Sequence, residues 1–273
     1  MPELRSGTSQ CDTAVLSEAG SIEVIVGDGS TGVGGPVFIN AGGTTAMESG
    51  GQVDILSGTG EKSSGAVNVQ TADAGGDGAS GPVAISTGTV GRGYSGSISL
   101  ATGSARTGRA GDVNITVGAG SSGDGGSISV VAGDSHALYS AGGNVSIRAG
   151  AGTSRSYVDG GDGGSIELVA GTAYGGNKQD RGGDIALSAG LGRKGDGGNV
   201  AIVSGSSTFA DSGQVSVASA NSGISGTSGS VHVGSGTASL GSSGSIDIRS
   251  GHSSRGAGGD IRIASGNKLK VVV

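Results

Sequence analysis

The chain has 273 residues, 63 of them Gly, with 2% aromatic and 14% charged residues and no Trp. Two Phe, four Tyr and two Met cannot fill the interior of one or two ordinary compact domains, so a conventional globular core is excluded. A formal net charge of −6 gives no electrostatic drive toward nucleic acid or anionic lipid, and neither partner is expected.

Residues 1–19 precede the first full repeat. They contain Ala14-Val15-Leu16, a short apolar run expected to act as an N-terminal cap, and the single cysteine, Cys11, which has no internal disulfide partner. Met1-Pro2-Glu3-Leu4-Arg5-Ser6-Gly7 lacks an apolar signal-peptide core, and no run approaches about 18 apolar residues. Neither a signal peptide nor membrane insertion is expected within these residues; a mature or excised secreted segment fits equally well.

From Gly20 onward the chain repeats one unit: Gly-x-Val/Ile-x-Val/Ile/Leu-x-small-Gly, then a Gly- and Ser-rich stretch. The opening glycines are Gly20, Gly35, Gly51, Gly65, Gly81, Gly96, Gly111, Gly126, Gly143, Gly164, Gly183, Gly198, Gly213, Gly229, Gly244 and Gly259. The third position is β-branched in every unit, from Ile22 and Val37 to Ile246 and Ile261, and the fifth is aliphatic in every unit, from Val24 to Ile263. Apolar residues alternating with other types mark a half-buried strand and exclude a helix. Two large apolar side chains per unit cannot offset backbone ordering of roughly 1–2 kcal/mol per residue, so each unit is expected to stack on its neighbours.

The expected fold is therefore all-β, a parallel β-solenoid of about 16 coils with a period of about 15 residues over residues 20–273. At about 4.8 Å per coil this would be a rod on the order of 75 Å long. The seventh position is small in most units, as at Ala41, Ser57, Thr71, Ala149 and Ser204, which would let an opposite wall approach a narrow Val/Ile seam. Truncation in that seam, for instance Ile147→Ala, is expected to cost a few kcal/mol.

Three consecutive units exceed the common length, those opening at Gly126, Gly143 and Gly164. Their extra residues fall in the loop half: Ser135–Tyr139, Ser154–Asp159 and Tyr174–Arg181. Three of the four tyrosines lie there, and solenoid stacking would gather them, with Arg193 and Lys194 of the next unit, into one patch. Insertions on one face of a repeat array are common binding sites. Tyr139, Arg155, Tyr157, Tyr174, Asn177, Asp180 and Arg181 are accordingly candidate ligand residues, weighed against plain surface insertions. The last unit ends Lys268-Leu269-Lys270-Val271-Val272-Val273. With nothing left to cap a sheet edge, either the native chain continues or this end docks on another subunit; in the second case Val271, Val272 and Val273 are candidates for assembly, with Lys268 and Lys270 as weak charge gatekeepers.

Chemistry-bearing motifs are sparse. Gly27-Asp28-Gly29-Ser30-Thr31-Gly32 and Gly118-Ala119-Gly120-Ser121-Ser122-Gly123 look like phosphate loops, but no helical segment follows either. Gly-Asp-Gly-Gly at Asp124, Asp162 and Asp196 resembles calcium-binding nonapeptide rolls. The spacing does not supply the six to eight oxygens needed, and turn aspartates explain it. His136, His232, His252 and Cys11 form no readable zinc set or Cys/His dyad. Asp247 and Asp260 could pair on paper, but beside Arg249 and Arg262 they suit a solvated charge ladder better. No catalytic residue, metal or cofactor is expected.

The unit's period and Gly/Ser composition resemble the repeat regions of secreted adhesin stalks and extracellular proteins of microbes and microalgae. That resemblance implies a non-catalytic structural repeat protein, extracellular or at the cell surface: a rigid rod, or a filament or surface-layer building block that self-associates end to end or side by side. The alternative is a glycan- or surface-binding adhesion module using the tyrosine loops. Small-coil ice-binding proteins are similar in period, but the fourth-position column, which includes Glu23, Phe38, Asp54, His232 and Arg262, offers no threonine array.

Overall fold

A computed structural model describes residues 20–266. The expected cap over residues 1–19, Cys11, and the assembly residues Lys268, Lys270 and Val271–Val273 lie outside the described residues. The chain divides into two units, Met1–Ser129 and Val130–Val273.

Among the described residues there is no helix and no β-strand, which overturns the β-solenoid. The alternation of apolar and other residues states which side chains could share a face. It does not bring a second backbone within hydrogen-bonding distance, and a sheet needs that. The described residues make nine backbone–backbone hydrogen bonds, against about one bond per residue in a folded domain. The exposed surface agrees, at 28369 Å² for 25.5 kDa. A compact chain of this mass would expose roughly 10,000 Å² and an extended one roughly 37,000 Å².

What the structure does contain is a regular division of each repeat into an arm and a loop. The arms, from the opening glycine to the seventh position, run without a bend, and each of the fifteen connections between arms bends or turns once, as at 30–33, 61–62, 91–93 and 254–256. Gly and Ser set these turns. Gly32, Gly76, Gly93, Gly108 and Gly123 adopt positive φ, a region glycine enters without steric cost. Hydroxyls close others: Thr44 Oγ1 accepts from the Ala46 N–H at 3.1 Å, Ser207 Oγ from Ala210 at 2.9 Å and Ser253 Oγ from Gly256 at 2.9 Å.

No residue is buried among those described. The expected Val/Ile seam faces outward: from Val37 on, third-position side chains are 52–59% exposed and fifth-position ones 64–90%. Most of the half-buried residues are instead at the seventh position, the exceptions being Gly192 and Ser253 in the connections. Ser57, Ala132, Ala149, Ala170 and Ser204 are half-buried, and Val26 and Val117, at 41% and 47%, are the least exposed large aliphatics.

The partner of the seventh residue is the opening glycine of the next unit. A methyl group placed on Gly51 would lie 3.3 Å from Ala41 Cβ, on Gly96 3.3 Å from Thr87 Cγ2, on Gly198 3.3 Å from Ala189 Cβ, and on Gly126 only 2.6 Å from Val117 Cγ1. The same pairing recurs at all fifteen junctions, from Gly35 with Val26 to Gly259 with Ser250. In seven of them the opening glycine's N–H also donates to the carbonyl of the residue after the seventh, as in Gly51 to Gly42 at 2.8 Å and Gly143 to Gly133 at 2.8 Å. Every seventh residue in those seven is Ala or Ser, and none of the junctions with Val26, Thr71, Thr87, Thr102 or Val117 has the bond. The three junctions with Ser219, Ser235 and Ser250 lack it too, so a small seventh residue accompanies the bond in every case but does not guarantee it. We call this junction the glycine clasp.

Candidate binding loops

The three long loops belong to the unit Val130–Val273, and each is closed by a clasp of the same kind. Gly143 donates to Gly133, Gly164 to Gly150 at 2.9 Å and Gly183 to Gly171 at 2.9 Å. The extra residues therefore bulge outward without displacing the junction.

The first loop carries Tyr139 with φ 59°, a left-handed conformation uncommon for a bulky residue. It is held by Ser135 Oγ accepting from the Ala137 N–H and by the Ser140 hydroxyl donating to the Leu138 carbonyl, both at 3.4 Å. In the second loop the two chain segments pinch together at a neck. An added Cβ on Gly161 would stand 3.0 Å from Gly152 Cα, and one on Gly152 would overlap the backbone of Gly161 and Asp162. The head beyond this neck presents Arg155 and Tyr157. Ser156 Oγ braces it, accepting from the N–H groups of Val158 at 3.3 Å and Asp159 at 3.4 Å.

The third loop turns tightly at Asn177–Asp180. The Asp180 N–H donates to the Asn177 carbonyl at 3.0 Å, Asp180 Oδ2 accepts from the Asn177 N–H at 2.9 Å, and Asn177 Oδ1 accepts from the Gln179 N–H at 3.1 Å. The Asp180 carboxylate sits where a Cβ on Gly175 would be. The side chains of Asn177 and Asp180, two of the candidate ligand contacts, thus hydrogen-bond within their own turn. Tyr174 and Arg181, on either side of it, are exposed.

Tyr139, Tyr157 and Tyr174 are each fully exposed, so none packs against another. No hydrogen bond or ion pair among the described residues joins one of these loops to the next or to Arg193 and Lys194. Gathering into a single patch was expected from solenoid stacking, and the described residues contain no strand ladder that would supply it.

The other motifs resolve locally. Gly27–Gly32 and Gly118–Gly123 are loops between arms. Among the described residues no three His, Cys, Asp or Glu side chains are grouped to hold a metal ion, and no helix is long and apolar enough to cross a membrane. Asp247 pairs with Arg249 in an exposed ion pair, and Arg109 pairs with Asp112 at 3.1 Å; such surface pairs contribute little. His232 Nε2 lies 3.0 Å from Ser230 Oγ. No protein-family model matches the chain, and no curated protein or solved structure is significantly similar to it.

The sequence reading noted the small seventh position but missed its partner. The signal was present: in most units the seventh residue and the next opening glycine stand nine or ten residues apart, as a closed loop requires.

Proposed function

We propose that the chain is a non-catalytic structural repeat segment, extracellular or at the cell surface, that serves as a spacer or building block. The observation that supports this most strongly is the glycine clasp, repeated at every junction between the same two positions of the unit while the loop it closes varies in length and content. A selected reaction centre concentrates unusual residues at one place. Here the unusual feature is distributed evenly along the chain, as expected when length and repetition are what matter. The stiffness of a solenoid rod is not part of this reading, because the described residues lack the backbone ladder that would supply it.

Small-angle scattering tests it. The radius of gyration of the full chain should exceed the roughly 19 Å of a compact domain of this length. It should fall by a similar step for each two-repeat block removed, for instance residues 65–95. A compact radius, or one insensitive to such deletions, would overturn the reading.

A second reading, recognition of a glycan or surface by the long loops, is favoured by one specific feature: Arg155 and Tyr157 are held on a braced head beyond a glycine neck. Aromatic faces beside charged groups suit stacking on sugars. On a glycan array this reading expects retention of the chain that disappears in the Tyr157→Ala, Tyr174→Ala double variant. Unchanged retention in that variant would remove it.

A further inference from the structure

We propose that Asn114 and Asn144 are N-glycosylation sites, at which the side-chain amide accepts an oligosaccharide from a lipid-linked pyrophosphate donor. The inference rests on the extracellular reading and goes beyond it, since a spacer need carry no glycan.

The acceptor pattern occurs twice. Of the eight Asn in the chain, Asn114 in Asn114-Ile115-Thr116 and Asn144 in Asn144-Val145-Ser146 alone stand two residues before a hydroxyl side chain with a residue other than Pro between. The amide is the nucleophile and the hydroxyl is what a transferase recognises beside it. In the reaction the amide Nδ2 bonds to the anomeric carbon of the sugar as the bond from that carbon to the pyrophosphate oxygen breaks. The amide gives up one proton, the lipid pyrophosphate leaves, and no oxidant or reductant is needed.

The structure makes both amides available. A transferase must take three consecutive residues into its own groove, so a segment paired in a sheet would first have to give up its ladder. Here no backbone-to-backbone hydrogen bond among the described residues involves 114–116 or 144–146. Both arms run without a bend, and Asn114, Thr116, Asn144 and Ser146 are all exposed. Asn144 directly follows Gly143, which donates to Gly133 in its clasp, yet the clasp does not cover it.

Position gives the glycan a use. The middle residues of the two triplets, Ile115 and Val145, belong to the apolar rows and are 73% and 55% exposed. A glycan is bulky and hydrated, so one carried on the adjoining Asn sets a hydrated group beside aliphatics that the fold leaves in solvent.

The repeat also contains matched controls. Asn68 holds the fourth position of its arm, as Asn114 does, and Asn199 the second position, as Asn144 does, likewise just after a bonded clasp glycine, Gly198. Both are exposed, but Gln70 and Ala201 stand where the hydroxyl is required. These two asparagines should stay bare.

Cell-free translation of the full chain into endoplasmic-reticulum microsomes, with a cleavable signal peptide fused before Met1, tests the proposal on chains protected from added protease. The same readout without translocation comes from offering the purified chain to a detergent-solubilised transferase and its donor. The expected result is two mobility steps, both removed by peptide N-glycosidase, with the accompanying deamidation found by mass spectrometry at 114 and 144. Thr116→Ala and Ser146→Ala should each remove one step while leaving the asparagine in place. Fewer than two steps on the unaltered chain would overturn the proposal, as would steps that survive loss of the hydroxyl or a glycan at Asn68 or Asn199. Because the signal is supplied, the outcome judges the acceptor sites wherever the native chain resides, and the spacer reading is judged separately, by the radius of gyration.

Discussion

The arms and the clasps of this protein use different residues for different ends. The arms hold most of the large aliphatic side chains and leave them open to solvent, whereas the clasps pair an opening glycine with a seventh residue that is Ala or Ser at ten of fifteen junctions, and five of the seven half-buried residues are these seventh residues. Burial here follows closeness of backbone approach, not hydrophobicity. Two backbones can meet only where neither side chain intervenes, so organisation gathers at the smallest residues, and the branched aliphatics beside them are left in solvent.

The most forceful way to break this contrast is to put bulk into a clasp. Gly126→Val would drive a side chain into Val117, since even a methyl group there would sit 2.6 Å from Val117 Cγ1. The clasp should open, and backbone chemical shifts from Val117 to Ser127 should move toward those of a free loop. Gly118→Ala, in the same loop but with open space around it, should leave the shifts beyond its immediate neighbours in place. If both variants behave alike, the clasp is not what closes the loop.

A smaller effect sharpens the comparison between kinds of clasp. A net contribution of about 1 kcal/mol per hydrogen bond corresponds to about fivefold slower amide exchange. The Gly51, Gly143 and Gly198 N–H groups, which donate in their clasps, should be slowed by about that factor relative to Gly81, Gly96 and Gly111. Ala132→Val should remove the protection of Gly143 by placing a β-branched residue where every bonded clasp has Ala or Ser. Smallest of all, Ile147→Ala should change Gly143 exchange less than twofold, because Ile147 is 72% exposed and leaves no cavity. The few kcal/mol expected from the sequence assumed a buried seam.

The repeat itself was legible throughout: opening glycines, branched third positions, aliphatic fifth positions and small seventh positions can be counted without a structure. The three long loops were also legible as extra residues between Ala132 and Gly143, Ala149 and Gly164, and Ala170 and Gly183. What those residues do was less so. Asn177 and Asp180 have the composition of ligand contacts, yet their hydrogen bonds close their own turn. The neck at Gly152 and Gly161 could not be told from any other pair of glycines in so glycine-rich a chain.

Composition and period determined that this chain has no conventional core, that it is one unit used sixteen times, and that its variety lies in the connections. Only the tertiary structure decided which segments meet. Alternation specifies sides but not neighbours, so it was equally compatible with a laddered sheet and with separate arms. The choice rests on where two backbones come within hydrogen-bonding distance, and among the described residues they do so mainly at the glycine clasps and within the turns.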